Sequence, residues 1–138
     1  MILLPPELRF ALRANDIDRR AADRSGRAEP DPVPVLKLFN PMGAETWIAT
    51  ELFDDGDTLF GLADLGFGCP ELGAFSLSEI AAVRLPFGLF IERDLHFESA
   101  VPISRWADTA RREGSILAAE IALSRSLELP TDPIPDVG

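Results

Sequence analysis

Cysteine, histidine, lysine and tyrosine are almost missing from this chain of 138 residues, which contains one cysteine, one histidine and no tyrosine. A single cysteine, Cys69, excludes a disulfide-stabilised scaffold, and one Cys with one His is a poor basis for a tetrahedral zinc site. No apolar run approaches the roughly 20 residues that a membrane-spanning helix needs. The start of the chain also lacks the basic flank of a secretory signal. We therefore expect a cytoplasmic protein with a reduced thiol, not inserted in a membrane.

Positive charge is also scarce. Thirteen basic residues stand against 23 acidic ones, so the formal net charge is −10. Residues 29–104 carry three basic and thirteen acidic residues, whereas residues 1–28 carry six arginines and four acids. This excess of carboxylates argues against a protein that clasps nucleic-acid phosphates over a broad surface. The N-terminal arginines, interleaved with acids, are interpreted as a solvated face. They include Arg9, Arg13, Arg19, Arg20 and Arg24.

The length and an apolar content of 46% suit one domain with a real core. We expect this single domain to span residues 1–128. Residues 129–138 hold three prolines without periodicity, which predicts a poorly ordered Pro-rich tail. Residues 23–34 are predicted to form the one internal linker.

A first helix is predicted from the Pro-Pro-Glu segment at residues 5–7. Proline suits the first helical turn, and an acid there suits the positive end of the helix dipole. Apolar residues from Leu8 to Leu12 recur at helical spacing. Asn15 is the next residue of that stripe and tolerates a left-handed helix end, so the preferred prediction ends the helix there. The alternative is a helix that continues to Gly26.

Three short strands joined by tight turns are predicted over residues 33–63. Residues 33–39 and 47–52 flank Asn40-Pro-Met-Gly43, whose order of residues is preferred in a type I turn. Residues 58–63 follow an Asp-Gly pair that tolerates the positive φ of a hairpin turn. This part of the chain therefore predicts an antiparallel meander.

The second half adds a short strand at Ala74-Phe75 and then a helix that begins at a Ser76–Glu79 capping box. Residues 89–97 alternate as a further strand. A helix ended by Gly114 and a last helix capped by Ser115 follow. The predicted fold class is α+β: a small antiparallel meander of about four or five strands, with flanking helices at the N-terminus and C-terminus.

Candidate catalytic groups are few. Gly66-Phe-Gly68 lacks both a third glycine and the Gly-Lys-Ser/Thr of a nucleotide-binding loop, so it predicts a plain loop. Residues 54–57 lack the Gly and Glu spacing of a calcium-binding loop and predict a solvated hairpin tip. Pro and Glu follow Cys69, not the positive charge that would activate a thiol, which disfavours a catalytic pair of Cys69 with His96 but leaves it open. We expect no catalytic residue, no cofactor and no metal.

Arg93 is the most unusual residue in the alternation of apolar and polar residues over residues 89–97. The odd-numbered positions of residues 89–97 are apolar except at Arg93, so its guanidinium falls on the predicted apolar face. An unpaired buried charge is costly, which favours an ion pair with a helix acid such as Glu79. The alternative is an arginine that binds a ligand or partner in a groove. The same two interpretations apply to Lys37. The case is weaker there, because the aliphatic part of a lysine can lie on apolar surface while its ammonium reaches solvent. The candidate binding residues are Arg93, Glu79, Glu92, Asp94 and Trp47.

Five motifs in the middle of the chain resemble a known family. They are Phe39-Asn-Pro-x-Gly43, Thr46-Trp47, Gly56-Asp57-x-x-Phe60-Gly61-Leu62, Glu71-Leu-Gly73-x-Phe75-Ser-Leu-Ser-Glu-Ile80 and Pro86-Phe-Gly-Leu-x-Ile-Glu-Arg-Asp-Leu-x-Phe97. Over about residues 33–113 the chain is similar to family 2958 of the bacterial domains of unknown function. The resemblance implies a small protein commonly encoded on plasmids and integrative elements, beside replication, transfer and antirestriction genes. It implies no established reaction.

These observations predict a non-catalytic acidic accessory protein of bacterial mobile elements that acts by binding a protein. Exposed carboxylates can present a phosphate-like field to the basic groove of a DNA-binding or DNA-cutting enzyme. One alternative is a nucleic-acid binder that uses the N-terminal arginines. The other is a small hydrolase or metal-dependent nuclease, which would need carboxylates that converge at a pocket.

Overall fold

A computed structural model describes residues 1–128, and the predicted Pro-rich tail over residues 129–138 lies outside them. The strands are β1 (Leu36–Phe39), β2 (Thr46–Leu52), β3 (Thr58–Asp64), β4 (Glu71–Ser76) and β5 (Glu92–Arg93). The helices are α1 (Pro6–Ser25), α2 (Leu77–Ala81), α3 (Ile103–Glu113) and α4 (Ile116–Glu128), with a one-turn 3-10 helix at Pro86–Gly88. Within residues 1–128, no helix combines the length and apolar character needed to cross a bilayer.

The five strands form one antiparallel sheet in the order β4-β3-β2-β1-β5. This arrangement confirms the α+β prediction and the meander. The predicted β1–β2 turn is also confirmed, because the Gly43 N–H donates to the Asn40 carbonyl at 3.3 Å. The β2–β3 hairpin closes between Phe53 and Thr58, whose backbone groups are bonded at 2.8 Å.

The sheet separates two apolar clusters, because successive side chains of a strand point to opposite faces. Ile48 and Leu62 belong to the cluster that contains Trp106 of α3 and Ile116 of α4. Leu38 and its neighbours belong to the other cluster, with α1 and the start of the chain. Members of that second cluster include Leu4, Leu12, Leu36, Leu52, Leu59, Ile80 and Ile91. The molecule is therefore a three-layer α/β/α arrangement built on a central β2.

Helix α1 continues past Asn15 to Ser25, so the preferred early end is wrong and the alternative is right. Asn15 does not end the helix because its side-chain amide donates to the Thr50 carbonyl of β2 at 2.9 Å. The helix ends where Gly26 adopts a left-handed conformation with φ 71°. Residues 23–25 of the predicted linker are consequently helical.

A fully buried carboxylate, Asp16, holds α1 against the sheet. It forms ion pairs with Arg13 at 2.7 Å, Arg20 at 3.0 Å and Arg19 at 3.2 Å. Arg13 also donates to the Leu52 carbonyl at 2.7 Å. A buried charge is tolerated only when it is paired and hydrogen-bonded, and three guanidinium groups meet that requirement here.

The prediction of a strand over residues 89–97 is wrong outside Glu92–Arg93. The Asp94 side chain accepts a hydrogen bond from the His96 N–H at 2.9 Å, which turns the chain away from the sheet. Leu89 and Leu95 are exposed and form no apolar face.

The predicted C-terminal helices are confirmed. Helix α3 ends at Gly114 with φ 90°, and the Ser115 hydroxyl accepts from the Ala118 N–H at 3.0 Å. A second, unexpected cap comes from Asp64 at the end of β3, which accepts from the Ile116 N–H at 2.9 Å. This carboxylate connects the sheet to the positive end of α4.

We expect Asp16→Ala to lower the free energy of unfolding by about 1.5–3 kcal/mol, because charge-assisted hydrogen bonds to three partly exposed arginines are lost. Equilibrium unfolding in urea measures the change. Asp18→Ala, on the exposed side of the same helix, should cost less than about 0.5 kcal/mol. Equal losses in the two variants would contradict the role assigned to Asp16.

Gly61→Ala should destabilise the sheet by roughly 1–3 kcal/mol or more. A Cβ at Gly61 would lie 1.9 Å from the Ile48 carbonyl oxygen, so the β2 backbone would have to move. Gly73, its partner in β4, has nothing within 4 Å of its Cβ position. Gly73→Ala should therefore be neutral or stabilising when the two variants are compared by thermal unfolding. Similar losses of Tm at both positions would argue against the close approach at Gly61.

Candidate functional site

Three of the five predicted binding residues line one open cavity of about 520 Å³ at the β5 edge of the sheet. They are Glu92, Arg93 and Asp94. The β1–β5 register places Leu38 opposite Arg93 and Phe39 opposite Glu92. The cavity is completed by the β1–β2 turn, by Met1 and by Leu117 of α4. The structure thus gathers the predicted triplet at a concave surface.

Lys37 forms the charged wall of this cavity, and it does not snorkel to solvent. Its β2 partner is Ile48, so its side chain points toward α4. The Lys37 Nζ lies 2.7 Å from the Glu120 Oε1 and 3.5 Å from the Asp94 Oδ2. The ammonium is therefore buried and neutralised by two carboxylates.

Arg93 does not form the predicted ion pair with Glu79. Its half-buried side chain lies on the opposite face from Glu92, and its Nε donates to the Ile2 carbonyl at 3.4 Å. Within residues 1–128 its guanidinium pairs with no carboxylate. Its backbone N–H donates to the Met1 Sδ at 3.2 Å. The predicted ion pair of Arg93 with Glu79 is therefore wrong, and Arg93 is bonded instead to the first two residues of the chain.

Trp47 and Glu79 do not contribute to the cavity. Trp47 is 8% exposed and belongs to the apolar cluster beneath α1. Glu79 is exposed on α2, where its N–H donates to the Ser76 hydroxyl at 3.2 Å. The Ser76 cap is thus confirmed, and Asp57 adds to it by accepting from the Ser78 N–H at 2.8 Å.

Cys69 and His96 lie at opposite edges of the sheet. Cys69 is exposed in the loop before β4, and His96 follows β5. Four strand spacings separate β4 from β5, a distance of about 19 Å. The two side chains therefore do not form a nucleophile–base pair.

The cavity at β5 offers donors and acceptors of mixed charge and is suited to binding.

Four of the five named N-terminal arginines bond to acceptors of the same chain, and Arg24 is exposed. Arg9 donates to the Gly56 carbonyl at 3.3 Å, and Arg13, Arg19 and Arg20 surround Asp16. The sequence does contain a signal for this cluster, because the three arginines lie three or four residues from Asp16 and so share its helix face. The pairing of Arg19 with Glu51 at 2.7 Å joins residues 32 positions apart, and no local pattern announces it.

Burial raises the pKa of Glu51 above its ordinary value, while the hydrogen bond and charge of Arg19 oppose this shift. Arg19 therefore favours the ionised form of this carboxylate beneath α1. The ion pair of Arg19 with Glu51 connects helix α1 to strand β2. Among the side chains that the structure describes, those of residues 1–126, His, Cys, Asp and Glu form no group of three that could hold a metal ion. The carboxylate convergence that a metal-dependent nuclease requires is not present in that part of the chain.

The carboxylates of the β2–β3 hairpin accept hydrogen bonds from its own backbone and from α2. Asp55 accepts from the Thr58 hydroxyl at 2.5 Å and from the N–H groups of Asp57 and Thr58 at 2.8 Å. These bonds, above all the one from the Thr58 hydroxyl, lower the pKa of Asp55 from 3.8 to about 2. The Ser76 hydroxyl in turn lowers the pKa of Asp57.

The lowered pKa of Asp55 predicts a pH-dependent contribution to stability. The contribution is complete above pH 3.8, the ordinary pKa, and is lost as the pH falls toward 2. Asp55→Ala should therefore lower the Tm near neutral pH, and this difference from the wild type should shrink below pH 3.8. Thermal unfolding across that range measures it. Asp54→Ala, at the exposed neighbouring position, is the control. A Tm difference for Asp55→Ala that does not vary with pH would contradict the prediction.

Comparison with known proteins gives a family but no characterised relative. No curated protein and no solved structure is significantly similar to this chain. One family model, described as "Protein of unknown function (DUF2958)", matches residues 3–117. The match is longer than the region of the motifs, since it includes α1 and the first residues of α4. It covers well over half of the chain, and the protein therefore belongs to the DUF2958 family.

Proposed function

We propose that this protein acts without catalysis, as an acidic accessory of bacterial mobile elements that binds a protein partner with a basic surface. The observation that carries the proposal is a group of exposed carboxylates at one end of the sheet, on a chain whose formal net charge is −10. The mobile-element setting rests on the family resemblance.

Several basic residues form ion pairs with carboxylates of the same chain. Arg13, Arg19 and Arg20 neutralise Asp16, and Lys37 is enclosed by Asp94 and Glu120. Arg19 and Arg20 also stack on the Phe53 ring, at 5.8 and 5.7 Å from its centroid. Arginines held in this way are poorly placed to follow a phosphate backbone, which weakens the case for the nucleic-acid alternative.

Acidic side chains concentrate at what we name the hairpin end, which consists of Asp54, Asp55, Asp57 and Glu79. The bond from the Ser78 N–H to Asp57 ties the β2–β3 hairpin to the start of α2, so the four residues share one end of the sheet. Asp54, Asp55 and Glu79 are exposed. The depressed pKa values of Asp55 and Asp57 keep these two carboxylates ionised at any pH near neutrality.

A partner with a basic groove would be attracted by this field over a distance of about one Debye length, roughly 8–10 Å at physiological salt. Complementary charge mainly raises the association rate and selects among partners. A protein that occupies such a groove competes with DNA for it. The proposed activity is therefore inhibition or regulation of a DNA-binding protein by occupation of its DNA site.

A displacement experiment tests this proposal. Bacterial DNA-binding proteins are retained on immobilised duplex DNA at about 0.15 M salt, and the purified protein is then added. We expect a discrete protein to be released, and polyglutamate of equal charge should not release it. The variant Asp54→Asn/Glu79→Gln should release at least tenfold less at the same concentration.

A second variant with the same loss of charge is the control. Glu29 and Glu98 are exposed and lie outside the hairpin end. Glu29→Gln/Glu98→Gln should release the partner as the wild type does. Release by polyglutamate as well, an equal loss in both variants, or no release at all would contradict the proposal.

A further inference from the structure

We draw no further inference here: the strongest candidate, the open cavity of about 520 Å³ at the β5 edge, belongs to the site already described, and its lining combines acidic and basic groups so that it selects no ligand of one charge.

Discussion

The buried carboxylate of Asp16 is the interaction on which the arrangement of the α1 side depends. An isolated ion in a protein interior is costly by several kcal/mol, so its three arginines must remain folded around it. Those arginines also reach the sheet, through the Leu52 carbonyl and the Glu51 carboxylate. Helix α1 therefore cannot shift along β2 without exposing or separating these charges. A mostly apolar helix face would have tolerated such a shift more easily.

The ion pairs of Asp16 also affect the solvent exposure of the charged side chains. The three arginines that neutralise Asp16 stay partly exposed, whereas Lys37, on the other face of the sheet, is buried in its ion pairs.

Local signals in the sequence were sufficient for most of the fold. The Asn40–Gly43 turn, the Ser76 cap and the Gly114 helix end are each decided by residues within one turn of the chain. The predictions failed where the hydrogen-bond partner of a polar residue is distant in sequence. Asn15 suggested a helix end because its partner, the Thr50 carbonyl, is 35 residues away. Asp64 gave no sign of capping α4, 52 residues later.

The candidate site was predicted only in part, because some of its contacts join residues that are distant in sequence. Glu92, Arg93 and Asp94 are adjacent in sequence, so any strand would have kept them together. The alternation around Arg93 implied a continuous apolar face, but the Asp94 turn ends that face after two strand residues. Trp47 is in the core. Whether a residue contacts the cavity depends on the strand order, which tight turns alone do not determine.

Lys37 has a practical consequence for chemistry done on this protein. It is the single lysine of the chain, and its side chain is 7% exposed within an ion pair. Amine-directed cross-linkers, fluorophores and coupling resins will therefore find no accessible lysine while the sheet is intact. Modification of Lys37 requires the contact between β1 and α4 to open, so its rate of labelling reports local unfolding at the cavity wall.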